Sequence, residues 1–149
     1  LHVAREREGK ALARDMKARA RHLHKLHKQI QARVARIKPA LVERLRQRVS
    51  DLLAGQEIKE ERLLQEVALI VERGDVTEEL VRLDSHLDAL LGHVAAEGPV
   101  GKKIDFLLQE THREFNTIAA KSNDLEVTNA TLEARAEIEK LREQVQNVE

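Results

Sequence analysis

The residues able to do chemistry concentrate in two stretches of this sequence. Between Gly101 and Lys121 the polar residues Asp105, Gln109, His112 and Asn116 form a stripe one position ahead of an apolar one. On a helix the two stripes are offset by about 100°. Glu110 and Glu114 add carboxylates at i, i+4 spacing with Arg113 between them, so one short helix offers acceptors, donors and a cation suited to phosphate. Such a carboxylate pair repels unless Arg113 or a metal ion neutralises it. In the preceding stretch Glu79, Arg82 and His86 fall at i, i+3 and i+7, again one face, and Glu66 further upstream is a candidate neighbour. Divalent ions that serve phosphate chemistry take hard oxygen ligands, with imidazole added for softer members such as manganese. The bland alternative is that these side chains only pair with one another between helices. His24 and His27 share a face near the N-terminus while His22 does not, and all three read as part of a polybasic surface in preference to metal ligands. His93 reads as an exposed helix-end residue. No phosphate-cradling glycine loop, Ser-His-Asp arrangement, paired Cys/His motif, or nicotinamide or flavin fingerprint is present.

The elements that would position these residues are all helical. Of 149 residues 42% are hydrophobic, carried by Leu, Ile, Val and Ala, with Phe106 and Phe115 the only aromatics and few Gly or Pro. That profile favours long amphipathic helices over hairpins. From Ala4 to Leu53 apolar residues recur at helical spacing, which predicts one long helix or two in series, with a kink or break just before Pro39. Such an arm would reach roughly 75 Å, too far for a compact globule, and is expected to project or to pack on other chains. Gly55 is the expected stop. A second helix over 60–73 puts Leu63, Leu64, Val67, Ile70 and Val71 on one side, and Asp75 with Glu78 predicts a capping box opening a third. The third seam is Leu80, Leu83, Leu87, Leu90 or Leu91, and Val94, ended by Gly98-Pro99. In the fourth helix Ile104, Leu108, Thr111, Phe115 and Ile118 are the buried stripe, and Ser122-Asn123-Asp124 reads as a turn and cap. The last helix carries Val127, Thr131, Ala134, Ile138, Leu141, Val145 and Val148, a coiled-coil seam that needs a partner and so predicts an oligomer. The fold class is therefore all-α: a long or kinked N-terminal helix, then a bundle of about four shorter helices ending in a coiled-coil-like one. Residues 1–54 form a basic arm and 55–149 an acidic bundle, within one folding unit.

A formal net charge of zero hides a cancellation. Residues 1–48 hold 15 Lys or Arg against 4 Asp or Glu, a balance of +11, and residues 49–149 hold 11 against 22, a balance of −11. The basic part suits phosphates and the acidic part suits divalent metal; equally, the basic helix lies against acidic ones within a bundle or across a dimer. The absence of cysteine fits a reducing compartment, and no apolar run or secretory signal points to a membrane, so a cytoplasmic location is expected.

Two long segments carry a more specific signal: Glu66-Val-Ala-Leu-Ile-Val-Glu-Arg-Gly-Asp75-Val-Thr-Glu-Glu79-Leu-Val-Arg82-Leu-Asp-Ser-His86, and Gly101-Lys-Lys-Ile-Asp105-Phe-Leu-Leu-Gln109-Glu110-Thr-His-Arg113-Glu114-Phe-Asn116-Thr117. With the ending Leu141-Arg-Glu-Gln-Val-Gln-Asn-Val-Glu149 they closely resemble the YicC/YloC family, from about Arg5 to the last residue. His112 stands where that family is expected to have Asn, and Lys102 where Arg is usual. The resemblance implies a bacterial cytoplasmic endoribonuclease of RNA turnover that depends on manganese or magnesium. It further implies a homo-oligomer, hexameric in the full-length family, whose members carry an N-terminal domain that would precede Leu1.

Carried onto matching positions, the resemblance and the helical stripes together give a set of expected roles. Glu79, His86, Glu110 and Glu114 are the expected catalytic groups, with His86 a ligand or proton shuttle. Arg82, Arg113, Gln109, Asn116 and Lys103 are expected to hold RNA, and Glu66, Asp105 and Glu110 to bind metal. A non-catalytic helical scaffold and an RNA-binding adaptor are the competing readings.

Overall fold

The structure, a computed structural model, describes residues 2–54, 59–96 and 100–148. Five helices follow one another: α1 (His2–Leu52), α2 (Glu60–Arg73), α3 (Thr77–Ala95), α4 (Gly101–Lys121) and α5 (Leu125–Val148). The expected stops at Gly55 and Gly98-Pro99 lie outside the described residues. Among the described residues there is no strand, and no helix is long and apolar enough to cross a membrane.

The α3, α4 and α5 seams behave as their spacing predicts. Leu83, Leu87, Leu90, Leu108, Phe115, Ile118, Val127, Ala134 and Leu141 are all fully buried, and each large aliphatic side chain so placed stabilises the fold by ~1.5–3 kcal/mol. Two expectations are corrected here. The α5 seam finds its partners within the chain, because α5 packs on both α1 and α4 and buries Ile138 and Val145 as well. It therefore gives no argument for an oligomer. The basic helix is also not an appendage: Met16, Ala20, Leu23, Leu26 and Ile30 of α1 belong to the same core as α3, α4 and α5. Only the two ends of α1 extend beyond it.

α1 runs unbroken through Pro39. The proline removes one amide donor, but Pro39 and Ala35, whose carbonyl loses that donor, are both exposed, and water can satisfy the freed oxygen. Beyond Val34 the apolar stripe of α1 is only partly covered, and α2 folds back along it. In α2 just Val67 is buried; Leu63 and Val71 are half-buried, whereas Leu64 and Ile70 of the expected seam are exposed. A single neighbouring helix cannot cover a five-residue stripe.

Cap chemistry divides the same way. Asp124 caps α5 as expected, accepting from the Val127 amide at 3.2 Å. Asp75 does not form the capping box: Val76 is the N-cap of α3, and Asp75 instead accepts from the Thr77 hydroxyl at 2.6 Å and the Thr77 amide at 3.3 Å. Glu78 stays exposed.

Candidate functional site

α3 and α4 pack side by side along a common seam. At its centre Arg82 of α3 donates from Nε to Glu114 Oε1 of α4 at 2.9 Å, with its Nη atoms 3.6 Å from Glu78 and 3.8 Å from Glu79. Glu79 and Glu114 are 3% and 5% exposed, and removing such partners from carboxylates buried this deeply is strongly destabilising. Lys121, the last residue of α4, donates to Glu79 Oε1 at 2.7 Å and to the Asp75 carbonyl at 3.3 Å. Burial pushes the Glu79 carboxyl up, but the hydrogen bond and charge of Lys121, its backbone bond and the Arg82 guanidinium outweigh it and hold it below the ordinary range. Its second oxygen, Oε2, is buried without a hydrogen-bond partner among the described residues.

Lys121 also borders an open depression on α4, lined by Gln109, His112, Arg113, Asn116 and Thr117. These residues form an internal ladder. Gln109 donates to Asp105 at 3.0 Å, Asn116 Nδ2 lies 3.1 Å from His112 Nδ1, and the Thr117 hydroxyl donates to the Arg113 carbonyl at 3.1 Å. The Arg113 guanidinium stands free of the surface, touching Glu110 at 3.8 Å. Glu110 and Glu114 thus each have an arginine of their own, and their mutual repulsion is resolved by Arg113 and Arg82 respectively. The depression is rich in donors and carries cationic groups at two points, a surface that suits a phosphodiester backbone.

The residues expected to act together are only partly assembled. Glu79, Arg82 and Glu114 meet at the α3–α4 seam, Glu110 pairs with Arg113 within α4, and Arg113, Gln109 and Asn116 line the depression. His86 is half-buried on α3 and makes no hydrogen bond among the described residues. Lys103 is exposed in the first turn of α4 and does not line the depression. Glu66 is exposed on α2, which packs chiefly on α1, while Asp105 faces Arg142 of α5 at 3.5 Å. Among the described residues Glu66, Asp105 and Glu110 do not converge into a set of metal ligands. Sequence reasoning overlooked Lys121. Its signal was present, since Gln109, Arg113, Thr117 and Lys121 repeat every four residues, but its value rests on a carboxylate from another helix.

The basic helix divides into paired and unpaired cations. Arg33 grips Asp124 with two bonds of 3.0 Å, Arg19 donates to Glu137 at 3.1 Å, and Arg36 stands 3.6 Å from Glu126. His22 meets Glu133 at 2.8 Å and His24 meets Asp88 at 2.8 Å, while His27 is buried with its Nε2 2.9 Å from the Leu80 carbonyl. The histidines are therefore interhelical contacts, not the polybasic surface expected of them. Arg14, Arg21, Lys25 and Lys28 are exposed and form no ion pair among the described residues.

Comparison with known proteins places this helical array in a family. Residues 30–149 match the family model described as "Endoribonuclease YicC-like, C-terminal". The chain is 41% identical over its whole length to a probable endoribonuclease YicC of Clostridioides difficile, and 42% identical over 72% of its length to a probable endoribonuclease YicC of Haemophilus influenzae. It spans 51% and 37% of those two proteins, about half and about a third of their lengths. With the α3–α4 seam and the whole of α5 inside the matched region, the chain belongs to the YicC-like family, through that family's C-terminal part.

Proposed function

We propose that this chain is the helical C-terminal part of an endoribonuclease that cleaves RNA in bacterial RNA turnover in the cytoplasm. The observation that supports this best is the Glu79–Arg82–Glu114–Lys121 network, in which two buried carboxylates are held by two exposed cations and which opens through Lys121 onto the donor-rich depression of α4. In this reading Arg113 and Lys121 hold phosphate oxygens, Gln109 and Asn116 orient the strand, and Arg82, fixed by Glu114, stabilises developing charge. His86, half-buried on the α3 stripe, is the candidate proton carrier. Dependence on manganese or magnesium belongs to the same proposal. Because Glu66, Asp105 and Glu110 do not meet within the chain, no step is assigned to the ion.

The test is an RNA incubated with the complete protein in manganese, with chelator, and with Glu110→Gln or Arg113→Ala variants. Cleavage should vanish with chelator and fall at least ~100-fold in the variants, the size expected for loss of one charge-stabilising contact. Cleavage untouched by chelator and by both substitutions would remove this mechanism. The unpaired cations of α1 favour a second reading, an adaptor that binds RNA without cutting it; binding with no product ends would support it. We also propose a homo-oligomer of the complete protein, hexameric as the resemblance implies. The exposed Leu64, Leu69 and Ile70 support an assembly through α2, and light scattering tests it.

A further inference from the structure

A different pair of helices presents an unassigned group of ligands. His24 and His27 stand one turn apart on α1, and Asp84 and Asp88 one turn apart on α3, which packs against it. One ligand atom from each of His24, His27 and Asp84 lies within 4.8 Å of the other two, the sole such group of three among the described residues.

The hydrogen bonds around this group fix what each ring offers. His27 is 1% exposed, and its Nε2 approaches the Leu80 carbonyl at 2.9 Å, a bond it makes only by donating. The proton is therefore on Nε2, and Nδ1 carries a lone pair. That Nδ1 is buried and has no hydrogen-bond partner among the described residues. An unsatisfied buried polar atom of this kind calls for an explanation, such as a ligand. His24 is arranged in parallel: its Nε2 lies 2.8 Å from Asp88 Oδ1, and donation to that carboxylate frees its Nδ1. Each imidazole thus has its outer nitrogen anchored, one by a backbone carbonyl and one by a carboxylate, the pattern that orients histidines toward a metal. Two acidic groups, Asp84 and Asp88, supply negative charge, against which Lys28 is the nearby opposing cation.

We propose that His24, His27 and Asp84 bind one divalent transition-metal ion of the zinc class, which pins the basic helix α1 to α3. Two imidazole nitrogens and a carboxylate oxygen, with water in the fourth position, suit zinc, whereas magnesium and calcium take oxygen ligands almost alone. Tetrahedral ligands at about 2.0–2.1 Å stand roughly 3.3 Å apart. Rotation of the half-buried His24 and Asp84 side chains, with His27 fixed, supplies the closing movement. The site is built from α1 and α3 and owes nothing to the α4 depression, so it does not depend on the RNA-cleavage reading.

The experiment titrates the full chain, stripped by chelator, first with cobalt(II) and then with zinc. Visible absorption reports a tetrahedral cobalt site, and calorimetry reports zinc stoichiometry. One ion per chain, zinc displacing cobalt, and a raised unfolding temperature are expected. Asp84→Asn and His24→Ala, both at half-buried positions and checked for native helicity by circular dichroism, should each weaken binding at least ~10-fold, and Asp88→Asn ~10–100-fold. His22→Ala, whose ring faces Glu133 on α5, should leave binding unchanged. Absence of stoichiometric binding by the parent chain, or binding of unchanged strength in folded Asp84→Asn and His24→Ala, would overturn the proposal.

Discussion

The two halves of α1 carry the same helical spacing of apolar residues and meet opposite fates. From Met16 to Ile30 every seam residue is buried against α3 and α5, whereas from Val34 to Leu52 the stripe is half-covered or exposed, with Leu41 37% and Leu52 79% exposed. The difference is not in the helix but in what faces it. Two helices close over the first half; beyond Arg36, which still reaches Glu126 of α5, α2 is the helix that lies on the second, and α2 has exposed Leu64, Leu69 and Ile70 of its own. A periodic stripe announces that a surface wants cover. It does not say whether the chain itself supplies the cover.

Several substitutions would break or sharpen this contrast. The largest effect is expected from Ile138→Asp combined with Leu141→Asp, which puts two charges into a core where those positions are 1% and 0% exposed. Each unpaired buried charge costs several kcal/mol, enough to exhaust the stability of a typical domain. Circular dichroism should show loss of helicity, not merely a change of mass. Next, Leu23→Ala on the covered half should cost ~2–5 kcal/mol in urea denaturation, while Leu64→Ala on the exposed face of α2, beside the uncovered half, should cost under ~0.5 kcal/mol. Equal losses would mean that a partner covers that face in solution. Third, Lys121→Ala strips Glu79 of its closest cation and should cost ~1–3 kcal/mol at neutral pH. Glu79 has a folded-state pKa below its unfolded one, so its contribution is present above the ordinary carboxylate range, about 4, and is lost as pH falls through the lowered value. The parent should therefore lose stability more steeply than Lys121→Ala as pH drops below about 4. Smallest is the contrast among cations of α1: Arg21→Ala and Lys25→Ala should each leave stability within ~0.5 kcal/mol. Each should also flatten the salt dependence of RNA binding by up to ~0.7–0.9 in the log–log slope. Arg33→Ala, whose guanidinium is spent on Asp124, should do the reverse, lowering stability with little change of slope.

Much of this molecule is legible before folding. Helical spacing alone marks Leu83, Leu87, Leu108, Phe115 and Leu141 as core, and puts Gln109 and Asn116 on a separate polar face, because a helix fixes which residues share a side. Local cap chemistry is legible where one residue dominates, as at Asp124. What no spacing could decide is which stripes meet. The opposing charges of α1 and the later helices were compatible with RNA and with mutual pairing, and the folded chain divides them residue by residue, spending Arg33 and Arg19 internally while leaving Arg21 and Lys25 exposed. The α5 seam asked for a partner and received α1 and α4 of its own chain. His27 read as one basic residue among many until α3 arrived with Leu80 and Asp84 to bury it and claim one of its nitrogens. Periodicity is a one-dimensional property set by backbone geometry. Pairing, burial and the meeting of ligands depend on distances between residues far apart in sequence, and only the tertiary structure supplies those.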